Sequence, residues 1–571
     1  MKRALPTIVI VAGAAISMAR AADSFPNAQA EGWSSEAFAE KASAALKSLA
    51  AQIVAGEEIT SDATCSALRP STGFNTLRPA TPPFVVRRWD RNTARKEGLT
   101  TLAPALGNLR SAFGADGPAR AEFKLFGVAG NTTRQYFSAS GPSADGLLEI
   151  EATWNIKWNA EGTVIEEVWL EAHEETLATK RKSPLFTDVT DAVLPRDPEI
   201  RRQYLHGTDY WRQRIEVFNR MFKFAYCGLA IGDADGDGLD DLFSCQNGGL
   251  PNRLFLQNKD GTLRDATARS GLGILDATQG ALFLDLDNDG DQDLVATTPS
   301  AVVFYENTGG AKFVARLRSR VAENGYSLAA IDYDGNGFLD IYVCRYQADK
   351  KKGAQLAVPV PYFNANNGGA NYLIRNRGPG EGVWLKLDDA TAEAGLDAKN
   401  SRFSFAAVWD DLDSDGDFDL YVANDFGRNV CYLNGLVPDG VARFREVAMA
   451  SGLKDGGFGM SVTTADFNRD GRRDLYVGNM FSAAGNRVTR QSKFRPGDDD
   501  DLKAEFQRMA RGNSLYLGRK DGLGFDDISV ASGTTMGRWS WSSIAADINN
   551  DGWEDLLVAN GYVTGPQPDD L

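Results

Sequence analysis

From Leu148 to Trp158 apolar and polar residues alternate. Leu148, Ile150, Ala152, Trp154, Ile156 and Trp158 fall on one side, and Glu149, Glu151, Thr153, Asn155 and Lys157 on the other. A period of two marks a strand with one buried face. Asn159-Ala-Glu-Gly162 is a turn into a second strand from Thr163 to Ala172, so a half-buried antiparallel hairpin is expected. Upstream, Phe38, Ala42, Ala45, Leu49 and Ile53 recur at helical spacing and predict a helix over 34–54. Residues 22–184 therefore read as an α+β domain with a curved sheet, for which an NTF2-like cone is one fit among several. The tryptophan stripe suits either core packing or a ligand pocket, and core packing is the expectation. The stretch 197–224 reads as a helical lead-in to the rest of the chain.

Beyond residue 228 the pattern changes to short apolar runs separated by acidic loops. One nine-residue spacing, D-x-[DN]-x-[DN]-G-x-x-D, occurs six times. The first three copies place Asp233, Asp235, Asp237 and Asp241; Asp285, Asp287, Asp289 and Asp293; and Asp332, Asp334, Asn336 and Asp340. The others place Asp411, Asp413, Asp415 and Asp419; Asp466, Asn468, Asp470 and Asp474; and Asp547, Asn549, Asp551 and Asp555. Each loop is entered from an apolar segment such as Gly228–Gly232 and left through a β-prone run such as Leu475-Tyr-Val477. A third strand opens on Asn252, Asn371, Asn429 or Asn513, and a fourth comes after it at Leu263, Leu387, Phe444 or Phe525. Loop spacings of 52, 47, 79, 55 and 81 residues with four short strands per repeat describe the blades of a β-propeller. The two long intervals carry insertions, one around 364–369 and one with a helix expected over 502–509.

The spacing has a direct chemical reading. A hard cation takes about six to eight oxygen ligands. Carboxylates or amides at positions 1, 3 and 5 turn inward together, Gly at position 6 permits the reversal, and Asp at position 9 closes the shell. Position 7 is Leu239, Asp291, Phe338, Asp417, Arg472 or Trp553, a variety that points to a backbone carbonyl ligand there. An EF-hand needs a carboxylate at position 12, where this chain has Ser244, Ala296, Val343, Val422, Val477 and Val558. The EF-hand is excluded.

At these residues the chain resembles the FG-GAP or VCBS repeat propellers found in integrin α heads. It resembles more closely the bacterial exported proteins of the cartilage acidic protein type, which carry an ASPIC/UnbV segment. The resemblance spans about residues 185–571 and implies a mainly β fold and about six structural calcium sites on the residues named above. It also implies a design of seven blades, of which six are recognisable here. After Asn560 the chain offers no third strand for the sixth hairpin, and Phe186–Thr190 matches a fourth strand that would pair with the final blade. The expectation is a propeller with an open edge, through truncation or completion by another chain.

Composition narrows the function. Acidic residues outnumber basic ones 77 to 61, giving a net charge of −16, which repels nucleic acid and anionic lipid. Two histidines, His173 and His206, leave little for histidine-based catalysis or zinc binding. No GxSxG, P-loop or zinc motif occurs. Lys2 and Arg3, an apolar run to Met18 and Ala19-Arg20-Ala21 read as a signal peptide over 1–21. Its cleavage would remove three cations and leave −19. Among the five cysteines, Cys227 and Cys245 flank the first loop, where a disulfide and two buried thiols are both open. Together these readings describe a secreted or periplasmic calcium-binding propeller that serves as a binding or adhesion scaffold for a protein or glycan ligand, with no membrane span after cleavage. A propeller-based glycan lyase or hydrolase is the alternative.

Overall fold

The computed structural model describes residues 33–81, 84–90, 98–179, 186–206, 210–211, 213–216, 228–320, 323–346, 358–520 and 524–560. The leader sequence and Cys227 lie outside these residues, so the cleavage site and the Cys227–Cys245 pair do too. The chain forms two compact units. The first holds residues up to Thr187 together with Ser482–Ala510 and Asn549–Gly552, and the second holds the remainder.

The first unit is built on an eight-stranded sheet. Its strands are β1 (Thr64–Cys65), β2 (Phe74–Thr81), β3 (Phe84–Trp89), β4 (Thr100–Thr101), β5 (Arg120–Ala129), β6 (Thr132–Ser143), β7 (Gly146–Trp158) and β8 (Ile165–Thr179). The order is β2-β3-β8-β7-β6-β5, with the short β1 pairing parallel to β8 and antiparallel to β4. Register shifts at Thr153/Trp154 and Lys157/Trp158 bend the β7–β8 ladder. The helix Ser34–Ala55 lays Ala39, Ala42, Leu46, Leu49 and Ile53 on the sheet's apolar side. Every apolar residue of the alternating stripe from Leu148 to Trp158 is buried there. Trp154 stacks on Phe137 at 4.5 Å and Trp158 Nε1 donates to Thr133 Oγ1 at 2.7 Å. The stripe is core.

The second unit is mostly β. Among the described residues it contains four antiparallel sheets of four strands and one of five, in which Gly369–Ala370 joins the outside of Ser401–Asp410. The first is Leu229–Gly232, Asp241–Ser244, Arg253–Gln257 and Leu263–Asp265. The second runs through Ala281–Leu284, Asp293–Thr298, Ala301–Asn307 and Phe313–Ser319. The third begins at Gly325–Ile331, the fifth at Ser461–Ala465, and the loop-bearing hairpin of the fourth at Ser401–Asp410. A sixth sheet, Ser540–Ala546 with Asp555–Asn560, has two strands among the described residues. Leading strands touch in succession from the first sheet to the sixth, as in a propeller.

One expectation is corrected. Phe186–Thr190 forms no strand; Thr187–Val189 is irregular and a helical turn, Thr190–Val193, begins at once. Its likeness to a fourth strand comes from the turn that ends such strands. Asp188 Oδ1 accepts from Thr190 N as Asp265, Asp389 and Asp527 accept from Thr267, Thr391 and Ser529. Within the lead-in expected over 197–224, a helix forms over Pro198–Leu205, where Asp197 caps Glu199 N and Ile200 N and Pro198 opens the first turn; residues 210–211 are helical as well, and residues 206 and 213–215 lie outside the helices.

Candidate metal centres

Each acidic loop joins the first strand of a hairpin to its second. Position 6 is glycine with φ between 82° and 99° in all six loops. In the first five loops a Cβ at position 6 would meet nothing within 4 Å, so the backbone angle rather than space demands glycine. Position 4 is also left-handed, through Gly236, Asn288, Gly335, Ser414, Arg469 and Asn550. This second reversal obeys no residue rule and was invisible in the motif.

The carboxylates divide the work. In loop four, Asp411 Oδ1 accepts from Asp415 N and Oδ2 from Gly416 N, which winds the turn, and Asp415 Oδ1 accepts from Asp417 N. The same bonds occur around Asp285 and Asp466. Position 9 faces two ways. Asp419 Oδ2 accepts from Leu412 N at 2.9 Å and Oδ1 from Asn434 N at 2.9 Å, so it ties the loop to the third strand. Asp241, Asp293, Asp340 and Asp474 do likewise.

Position 3 is different. Asp235, Asp334 and Asp413 each bury an Oδ1 atom that has no hydrogen-bond partner. A buried carboxylate oxygen left so is costly, and its neighbours are further carboxylates. Burial, with repulsion from Asp415 and Asp411, pushes Asp413 up to about 6. Asp340 and Asp419 are pushed to about 8, again chiefly by burial. In four loops three carboxylates offer oxygens within 4.8 Å of one another: Asp233, Asp235, Asp241; Asp285, Asp287, Asp289; Asp332, Asp334, Asp340; and Asp411, Asp413, Asp419. Oxygen-only donors and orphaned inward atoms fit a hard cation. Among the described residues, loops five and six form no such group. The other four groups share aspartates at positions 1 and 3, whereas loops five and six have Asn468 and Asn549 at position 3, and Arg472 pairs with Asp470.

One set of residues escaped the sequence reading. Asn307, Asn376 and Asn434, at or just after the end of third strands, donate from Nδ2 to the position-2 carbonyls of the preceding loops, those of Ala234, Leu286 and Tyr333. Their backbone amides bind the position-9 aspartate, so each asparagine joins two successive loops. The visible signal was an Asn recurring at one place in three repeats. Replacing Asn434 by Ala leaves the buried Tyr333 carbonyl without this donor and is expected to lower stability by about 1–3 kcal/mol, read from urea unfolding.

Four segments, 233–296, 285–343, 411–477 and 501–558, match the FG-GAP-like repeat. The chain is 24% identical over 455 residues to cartilage acidic protein 1 of Homo sapiens, covering 63% of this chain and 61% of that protein. It is 26% identical over 326 residues to the Xenopus tropicalis protein of the same name, covering 52% and 44%. The chain thus spans 44–61% of the length of these relatives. Among solved structures, it is similar to an Agrocybe aegerita lectin that recognises non-reducing terminal N-acetylglucosamine, with 16% identity, a TM-score of 0.35, and 59% and 75% of the two chains covered. The V. cholerae biofilm matrix protein Bap1 aligns with 13% identity, a TM-score of 0.25, and 45% and 35% covered. The chain carries FG-GAP-like repeats and is a distant homologue of cartilage acidic protein 1. No helix among the described residues is long and apolar enough to cross a membrane.

Proposed function

We propose that this FG-GAP-repeat chain is an exported, calcium-stabilised binding scaffold, whose acidic loops hold structural ions so that the sheets can present a rigid face to a protein or glycan partner. The observation that carries the reading is the buried, unpartnered Oδ1 of Asp235, Asp334 and Asp413, each inside an all-oxygen cluster. Export agrees with the leader-like start of the sequence and with relatives named for cartilage. A bound ion would neutralise the loop carboxylates; the chain's own residues supply the turn, the latch to the third strand and the spacing. Calorimetric titration of chelated protein with calcium, and with magnesium as a control, tests the ion, and no calcium uptake would reject it. A glycan and protein array probed with and without calcium tests the scaffold role, which a calcium-independent or empty array would reject.

The loops should differ in strength. Loops two and four add Asp291 and Asp417 at position 7, each with an unpartnered buried Oδ1. Loop five has Arg472 instead, and Arg264 pairs with Asp235 in loop one. Calcium is expected to fill loops two and four at the lowest concentrations, since affinity rises with ligand charge. Trp384 Nε1 donates to Asp287 Oδ2 at 2.7 Å, so its fluorescence reports loop two. Asp415→Ala should delete one tight binding event, whereas Asp470→Ala should leave the tight events unchanged.

A further inference from the structure

A cavity of about 360 Å³ lies within the first unit, on the edge strand β5 and its neighbour β6 and beside the helix Ala483–Val488. Three features build it. Strands β5 and β6 shift register between Leu125 and Gly127, so Phe126 is an extra residue in a bulge. Bulges bend a strand and re-aim its side chains. Gly127 beside it has no side chain, and a Cβ there would approach Arg134 Cβ to 3.1 Å. Next, Arg487 is fixed at the wall: its Nη1 donates to Leu125 O at 2.8 Å and its Nη2 to Glu36 Oε2 at 2.7 Å, with the Glu36 side chain 5% exposed. Finally, Phe126 stacks on Tyr136 at 4.3 Å, with the Arg134 guanidinium 5.1 Å from the Phe126 ring.

The charge is one-sided. Arg134, Arg487 and Arg490 line the cavity and no carboxylate does. Arg134 is held by Glu171 and Arg487 by Glu36, two partners that lie outside the lining. Arg490 is exposed and has no carboxylate partner among the described residues. The rest of the lining is uncharged: Phe126, Val128 and Ala129 are apolar, Thr132 and Thr133 carry hydroxyls, and the Asn155 and Asn486 amides donate to Glu171 and to the Ser482 and Ala510 carbonyls. A fixed guanidinium, an unpaired one and an aromatic platform in a space of this size match a small ligand with one carboxylate and one apolar face.

We infer that this cavity binds a small organic carboxylate, with Arg490 as the anion contact and Phe126 under its apolar face. The site is separate from the acidic loops and goes beyond the scaffold reading. Sugar acids and aromatic acids share this chemistry. The test titrates the full chain with glucuronate and with benzoate by calorimetry, using glucose and sulfate as controls. Binding of either carboxylate, weakened about tenfold in Arg490→Gln and restored in part in Arg490→Lys, is the expected result. Phe126→Ala should weaken the same probe while leaving the protein folded by circular dichroism. Glucuronate alone identifies a sugar-acid site and benzoate alone an aromatic-acid site. No binding of either carboxylate at about 20 mM, on the order of a hundredfold above a sub-millimolar Kd, overturns the inference. Equal binding of sulfate or equal binding to Arg490→Gln overturns it as well. Persistence of the binding in chelator separates this site from the calcium reading, whose failure would leave it untouched.

Discussion

Exhaustive chelation is expected to lower the melting temperature of the acidic-loop unit by at least about 10 °C and to merge or broaden its transition. Each ion that binds the folded loops and not the unfolded chain stabilises by about 3 kcal/mol when held at roughly a hundredfold its Kd. For a unit larger than 250 residues about 1 kcal/mol moves the midpoint by roughly 1–2 °C, so about three to four filled loops suffice. Without the ion, Asp411, Asp413 and Asp419 keep oxygens within 4.8 Å of one another, and one of them, Asp413 Oδ1, is buried without a partner. The loops are also wired to their neighbours. Asn288 Nδ2 donates to Gly337 O at 2.8 Å, and Asn376 and Asn434 reach back to loops two and three, so loss at one loop is felt at the next. Differential scanning calorimetry in calcium and in chelator measures the shift. An unchanged trace would sink the structural-ion reading, and recovery with calcium but not magnesium would identify the ion.

The second large effect is expected in the other unit. Glu175 is 1% exposed and lies among Arg69, Arg87 and His173. Arg69 Nε donates to Oε1 at 2.6 Å and Arg87 Nη2 to Oε2 at 2.7 Å, while His173 Nε2 is 3.3 Å from Oε1. Burial alone would raise this carboxyl, but the hydrogen bonds from His173 and Arg69 and the Arg69 charge outweigh it and hold it at about 2. The folded value is depressed below the ordinary 4.5, so the stabilisation is present above pH 4.5 and is lost as pH falls toward 2. Glu175→Ala leaves the cations around an empty buried site and is expected to cost about 3–5 kcal/mol at neutral pH. The variant should show a weaker loss of stability between pH 4.5 and 2 than the parent, because the group that titrates there is gone. Urea unfolding across that range, with hydrogen exchange of β7 and β8 to isolate this unit, measures both effects. A change under about 1 kcal/mol at neutral pH would show that the ion cluster contributes no more than a surface pair.

Much of the local architecture is legible in the residue pattern. The helix expected over 34–54 forms as Ser34–Ala55, the Leu148–Trp158 stripe is buried, and the helix expected over 502–509 forms within Asp500–Arg511. The third and fourth strands appear where Asn252, Asn371, Asn429 and Asn513 announced them. Those asparagines also have a clear task. Their Oδ1 atoms accept from Gln246 N, Arg345 N, Asn424 N and Asn479 N, closing the turn between second and third strands. The failure at Phe186–Thr190 is instructive, because Asp and Thr at that spacing encode a helical turn equally well with or without a strand before it.

What the sequence by itself determined is what repeats or alternates over a few residues: loop carboxylates at fixed spacing, glycine where φ is positive, and apolar residues at period two or 3.6. These arise from backbone geometry and near neighbours, so they can be read in a short window. The tertiary structure alone decided which distant residues share an environment. The segment Ser482–Ala510, lying between two strands of the fifth sheet, belongs to the first unit, and its Arg487 pairs with Glu36 across 451 positions of chain. Glu36 reads as an exposed helix-start acid until that partner arrives. Trp384 meets Asp287, and Asp419 divides its two oxygens between a loop and a third strand, for the same reason. A charge or hydrogen-bonding group has many eligible partners along a chain of 571 residues, and only the packed fold brings one of them within about 3 Å while removing the water that would otherwise take its place.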